Sequence, residues 1–168
     1  EAVERALPLA VEKNIVICPE IHPPTPIAHP VVENYIKFIE RTGTKNFGLL
    51  MDTGIFMTKA AFFGLDGKEP ETEDEIPIPL RALKVPMEDL AAVMEHVVFF
   101  QAKFYDVDAE LNDPHVPWRG IFEVLKNAGY TGYLSSEYEG PRDAYRGKAM
   151  VRRQHAMFRE LEREIYGA

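Results

Sequence analysis

Phe47-Gly48-Leu49-Leu50-Met51-Asp52 is an apolar run that delivers a polar oxygen ligand at its end, and the chain repeats this arrangement three more times. Ile15-Val16-Ile17-Cys18-Pro19 leads to Glu20, Val97-Val98-Phe99-Phe100 to Gln101, and Tyr133-Leu134-Ser135-Ser136 to Glu137. A strand buried on both faces reads as a continuous hydrophobic run rather than an alternating one, which is the mark of a parallel sheet wrapped by helices. In such folds the loops at the carboxyl ends of the strands hold the chemistry. Oxygen donors arriving from four of these ends can converge on one hard divalent cation.

Outward from these runs the chain reads as helix. Residues 1–13 carry Val3, Ala6, Leu7, Ala10 and Val11 at helical spacing, with Pro8 expected to kink the stripe. Residues 31–41 put Val32, Tyr35, Ile36 and Ile39 on one side, Pro30 suits the first turn, and Gly43 closes it. Residues 87–96, 118–128 and 143–166 read as three further helices, the second stopped by Gly129. The order is α-β-α-β-α-β-α-β-α, and the spacing between strands suits right-handed parallel crossovers. The expected class is α/β, one domain over residues 1–168. The interval from Asp52 to Gln101 is the longest, and residues 64–79, GLDGKEPETEDEIPIP, read as an insertion. Its acidic members Glu69, Glu71, Glu73, Asp74 and Glu75 are expected to be a solvated loop.

A complete eight-stranded α/β barrel takes about 250 residues, so 168 residues are too few for one. The chain opens at Glu1, directly in helical sequence and without Met, which leads us to expect that further strands are missing or supplied by another chain. A net charge of −8 leaves no basic patch for nucleic acid, and a small neutral substrate is easier to accommodate. The single cysteine, Cys18, cannot form an internal disulfide and fits a reducing compartment. With no apolar run of about 18 residues and no signal-peptide pattern, the expected location is cytoplasmic and no membrane is expected as a partner.

Carboxylates are almost never buried unpaired, because an ionised group in low dielectric costs several kcal/mol even after relaxation. Glu20, Asp52 and Glu137 each follow an apolar run and so require a cation, a basic partner or solvent. With an amide oxygen beside them they form a hard donor set, for which Mn²⁺ or Mg²⁺ is expected before zinc. Cys18 lies deeper along its strand and reads as core.

The segments Pro19-Glu20-Ile21-His22, Met51-Asp52-Thr53-Gly54, Gln101-Ala102-Lys103-Phe104-Tyr105 and Gly132-Tyr133-Leu134-Ser135-Ser136-Glu137-Tyr138-Glu139 resemble, in order, the metal-binding strand ends in the second half of xylose-isomerase-like barrels. Pro117-Trp118-Arg119-Gly120-Ile121-Phe122 is similar to that family's approach to its last strand. The resemblance runs over nearly the whole chain. It implies a (β/α) half-barrel, four parallel strands with outer helices, corresponding to the second half of a TIM barrel. It also implies a superfamily of sugar isomerases and epimerases, inosose dehydratases and the catalytic subunits of C-glycoside deglycosidases.

By position the family's ligands fall on Glu20, Asp52, Gln101 and Glu137. The third departs from the pattern, since the family usually has histidine before Ala-Lys, and a neutral glutamine carbonyl is a weaker donor toward transition metals. His22 resembles the family's substrate-facing histidine and is the candidate for proton transfer, as imidazole titrates near neutrality. Lys103 follows Gln101 with strand period 2, so it shares that face, where an ammonium would stabilise an oxyanion or else pair with Glu137 or Glu139. Arg142 and Trp118 are the substrate-binding candidates. His29, His96, His115 and His155 read as structural or solvent-facing. The expected activity is isomerisation or epimerisation of a sugar or keto-sugar by proton abstraction beside a carbonyl, with a lyase outcome next. An inactive half-barrel needing a partner chain, or an oligomer, to cover its sheet is the reading from another class.

Overall fold

The computed structural model describes residues 2–61, 70, 72–141 and 145–167. Helix α1 spans Ala2–Glu12, strand β1 Glu20–Ile21, α2 Pro30–Thr42, β2 Leu49–Asp52, α3 Met87–Val93, β3 Val97–Phe104, α4 Trp118–Asn127, β4 Leu134–Tyr138 and α5 Arg146–Tyr166. The strands form one sheet in the order β1-β2-β3-β4, every pair parallel. This is the expected α/β half-barrel of four parallel strands with helices around it.

Local chemistry sets the helix ends. The His29 ring accepts the Val31 N–H at 3.2 Å, Pro30 occupies the first turn of α2, and Gly43, at φ 59°, closes it by donating to Ile39. Helix α1 runs through Pro8, which forgoes one backbone bond. Helix α3 is shorter than the periodicity predicts, because Met94–His96 tightens into a 3-10 turn before β3 begins. Of the predicted insertion, the described part holds two 3-10 turns, Glu73–Glu75 and Ile78–Leu80; residues 64–69 and 71 lie outside the described residues.

The strands are fully buried on one face, while the other is buried at Asp52 and Lys103 and partly open elsewhere, which corrects the reading of their runs as covered on both. Ile21, Met51, Phe100, Ala102 and Phe104 are at most 1% exposed and belong to the core that also holds Trp118, Ile121, Phe122, Leu125 and Phe158 of the helices. Their alternates Leu50, Phe99, Gln101 and Ser135 keep part of their surface open. A curved parallel sheet with four strands has an inner face that only further strands can cover.

The first strand is also shorter than predicted. Ile17 pairs with Phe47 through a single bridge, its N–H bonds Asn46, and Pro19 still accepts from Leu50. Pro19 has no N–H to give back, so the ladder is interrupted until Glu20. Ile15 and Val16, 55% and 41% exposed, lie on this open edge rather than in the core.

Candidate metal centre

Three acidic side chains from three strands meet at one end of the sheet. Glu20 opens β1, Asp52 ends β2 and Glu137 lies in β4, and carboxylate oxygens from the three lie within 4.8 Å of one another. The positions climb across the sheet: Glu20 pairs with Leu50, Asp52 lies further along β2 and pairs with Gln101, and Glu137 lies beyond Ser135, the partner of Gln101. Tilted strands of a barrel produce that stagger, which brings staggered positions to a common height. Gln101 and Glu137 sit inside β3 and β4, not at the start of the loops where the sequence suggested, because both strands continue to pair as far as Phe104 and Tyr138.

Asp52 is fully buried. Its Oδ1 accepts the Gly54 N–H at 2.7 Å, and its Oδ2 lies 2.6 Å from Lys103 Nζ as an ion pair outside hydrogen-bonding geometry. The same ammonium is 3.5 Å from Glu139 and 3.7 Å from Glu137. Behind it, the Thr53 hydroxyl donates to the Lys103 carbonyl at 2.8 Å and fixes the backbone of β3 against the end of β2. Gly54 sits in a tight space: a Cβ there would lie 3.1 Å from Asp52 Oδ1, 3.1 Å from Lys103 Cδ and 3.3 Å from Pro23 Cγ, so these side chains would have to give by a few tenths of an ångström. Gly54→Ala is therefore expected to cost about 1–3 kcal/mol by overpacking, read as a lower urea midpoint.

The charges do not balance. Burial pushes the Asp52 carboxyl up against the opposing pull of Lys103 and the Gly54 N–H, with the charge of Glu20 adding to the rise. Burial likewise raises Glu137; Lys103 opposes this, and the charges of Asp52, Glu139 and Glu20 reinforce it. For Lys103 burial alone would favour the neutral amine, but the close contact and charge of Asp52, with Glu137 and Glu139, outweigh it and hold the ammonium above the usual lysine range. One cation thus serves three acidic groups, with the charge of Glu20 close to two of them.

A carboxyl whose pKa is higher folded than unfolded stabilises the fold below its ordinary value, and loses that contribution as pH rises through the raised value. The ordinary values are 3.8 for Asp52 and 4.5 for Glu137. The metal-free chain is therefore expected to lose stability as pH climbs from about 4 through the raised carboxylate range. Urea midpoints across that window check this, and Glu137→Gln should flatten the decline.

The residues fit a divalent cation. Asp52 Oδ2 and Glu137 Oε2 are buried oxygens that accept no hydrogen bond, and both belong to the converging group. An uncompensated buried carboxylate is costly, and a hard ion bound by oxygens relieves it. Gln101 has the same strand parity as Lys103, on the face opposite the buried Phe100 and Ala102, so its amide lies on the carboxylate side of β3.

The other sequence candidates are placed as follows. His22 is exposed beyond β1, and its Nδ1 lies 2.7 Å from the Pro23 carbonyl. A carbonyl only accepts, so Nδ1 carries the hydrogen and Nε2 presents a lone pair. Trp118 is 3% exposed, donates its indole N–H to Asp113 at 2.8 Å and packs edge-on against Phe158 at 4.7 Å, the environment of a core residue. Arg142 lies outside the described residues. His115 is buried with Nδ1 3.1 Å from the Lys59 carbonyl, and His155 meets the Ser136 hydroxyl at 2.9 Å. Thr53 and Gly54 carry no role in the sequence reading. Their signal was the Asp52-Thr53-Gly54 turn itself, a carboxylate followed two residues on by the N–H it can accept. A cavity of about 390 Å³ lies elsewhere, walled by Phe122, Leu125, Tyr130, Gly132, Leu134, Glu162 and Tyr166. The carboxylates instead line an open face. Among the described residues no helix is long and apolar enough to cross a membrane.

Comparison with known proteins agrees with this geometry. The family model described as xylose isomerase-like TIM barrel matches residues 1–161. A 3'-dehydrocarminate deglycosidase alpha subunit from a Microbacterium species is 26% identical over 219 residues, covering 98% of this chain and 62% of that relative. A C-glycoside deglycosidase alpha subunit from Arthrobacter globiformis is 36% identical over 84 residues, 48% of this chain and 24% of the relative. The chain thus spans less than two thirds of the length of these relatives. A parallel sheet with staggered acidic strand ends, matched by a family model over almost its full length, identifies the chain as a member of the xylose isomerase-like TIM barrel family.

Proposed function

We propose that this chain carries the metal-binding half of a sugar-processing lyase, which removes a proton beside a sugar carbonyl and expels the substituent one carbon further on. The observation that carries the reading is the convergence of Glu20, Asp52 and Glu137 within 4.8 Å, with two buried oxygens among them that accept no hydrogen bond. Glu20, Asp52 and Glu137 would hold Mn²⁺ or Mg²⁺, and Gln101 would complete the set through its amide oxygen. A divalent ion so bound acts as a Lewis acid toward a carbonyl and the hydroxyl next to it.

The chain's own groups supply the rest. His22, with Nδ1 tied to Pro23, offers Nε2 as the base that takes the proton from the carbon beside the carbonyl. The electron pair left behind forms the enolate, and the Lys103 ammonium stabilises the negative charge that develops on its oxygen. Collapse of the enolate breaks the bond to the leaving group, which takes up a proton as it departs. Return of the proton to carbon, without that cleavage, gives isomerisation or epimerisation from the same site. The sequence favoured that second outcome; the deglycosidase names of the relatives favour cleavage, and a 3'-dehydro glycoside has the keto group that the chemistry needs.

The half-open inner face, with Leu50, Phe99 and Gln101 partly exposed and Ser135 exposed, supports assembly with further strands, from the same longer protein, a second copy or a partner chain. The test is incubation of the Mn²⁺-loaded protein with a 3-keto C-glycoside in D₂O. Release of the aglycone supports cleavage, whereas deuterium entering an intact glycoside supports isomerisation or epimerisation. Neither event, together with no retained metal, leaves a half-barrel that serves only as a scaffold.

A further inference from the structure

We propose that Glu139 is an alternative seat for the Lys103 ammonium, which balances the carboxylates of the metal-free chain and moves from Asp52 to Glu139 when a divalent cation takes Asp52 and Glu137. The inference rests on the metal reading above. It extends that reading by giving a role to a carboxylate outside the donor set.

Lys103 and the cation compete for the same atoms. Nζ lies 2.6 Å from Asp52 Oδ2 and 3.7 Å from Glu137 Oε2, and both are buried oxygens that accept no hydrogen bond. Asp52 Oδ1 is already engaged by the Gly54 N–H at 2.7 Å, so Oδ2, the oxygen that Lys103 contacts, is the one left without a hydrogen bond. An ammonium and a divalent ion on one oxygen would sit only about 4 Å apart, where like charges in a partly buried site repel strongly. Something has to move, and the elements around Lys103 determine what.

The backbone is fixed, since the Thr53 hydroxyl holds the Lys103 carbonyl at 2.8 Å. The side chain is a flexible four-carbon stem, so its end moves while its base stays. Of the three carboxylates within reach, Glu139 alone is absent from the converging group of Glu20, Asp52 and Glu137. Its Oε2 is already 3.5 Å from Nζ, and its own backbone is anchored by an N–H to the Phe104 carbonyl at 3.0 Å. A short swing about the outer torsions takes the ammonium to Glu139 and frees both oxygens for the ion. Glu139 is exposed, so the same swing carries the charge toward solvent.

The test is a double-mutant cycle on Mn²⁺ affinity, measured by titration calorimetry with the metal alone. Lys103→Met is expected to bind Mn²⁺ more tightly by on the order of tenfold, since the competing cation is gone. Glu139→Gln is expected to bind it about five- to tenfold more weakly, because the displaced ammonium has lost its second partner. In the Lys103→Met background, Glu139→Gln should change the affinity by less than about twofold. If Glu139→Gln costs the same factor in both backgrounds, Glu139 acts as a distant charge and the proposal is wrong. It is equally wrong if Lys103→Met fails to tighten binding. Should that variant not fold without metal, Lys103→Gln gives the same comparison. Absence of Mn²⁺ binding by the unaltered chain overturns the metal reading itself, and this inference with it.

Discussion

Glu137→Gln and Glu20→Gln should each leave the chain unable to retain Mn²⁺. Each removes one of the three carboxylates that converge within 4.8 Å, and replaces an anionic donor by a neutral one. Even the outer partners of metal ligands typically cost about 10–100-fold in affinity when removed, and loss of a ligand itself should exceed that. Elemental analysis of the three proteins after dialysis is the measurement. The folds should survive, because Glu20 is exposed and Glu137 is partly so. Glu137→Gln also removes a buried oxygen that accepts no hydrogen bond, and in the metal-free state it should be no less stable than the unaltered chain. If the unaltered chain carries no more metal than the two variants, the proposed chemistry has no support.

Asp52→Ala is expected to be the most damaging single change at the site, for a different reason. Asp52 is fully buried and is the nearest partner of Lys103, itself only 8% exposed. Removing one member of a buried ion pair strands the other, at a cost of about 3–5 kcal/mol. Glu137 and Glu139, at 3.7 and 3.5 Å, temper that loss without matching a 2.6 Å contact. The Gly54 N–H also loses its acceptor. Urea unfolding measures the effect. Adding Lys103→Met to Asp52→Ala should recover a large part of it, because the stranded ammonium is then gone. If the second substitution recovers nothing, the damage arises from the lost Gly54 contact rather than from charge.

Both predictions turn on groups whose identity, but not arrangement, was visible in the chain. The four apolar runs and their terminal polar residues gave the strands and the order of elements. The ends of α2 and α4 followed from Pro30, Gly43 and Gly129. Glu20, Asp52 and Glu137 stood out because an acidic residue directly after an apolar run is costly unless something compensates it. Less was legible where the chain's own pairing overrides local pattern. The runs of β3 and β4 seemed to end at Gln101 and Glu137, yet both strands continue, since inter-strand bonds extend past the apolar stretch. The run before Glu20 reads as a continuous strand, and Pro19 interrupts it. Trp118 was a candidate for substrate contact from its place in a motif; in the fold its ring is enclosed by Phe158 and its N–H is taken by Asp113.

Sequence by itself determined which residues are apolar, where the chain must turn, and which carboxylates would need a partner, because those are properties of residue type and spacing along one strand. Only the tertiary structure decided that Lys103 sits closest to Asp52, that Glu139 stands within its reach, and that one face of the sheet is left open. Those depend on the register and stagger between strands far apart in the chain. Strand alternation states which face a side chain takes, while distances of a few ångströms between charges depend on how far one strand slides past the next.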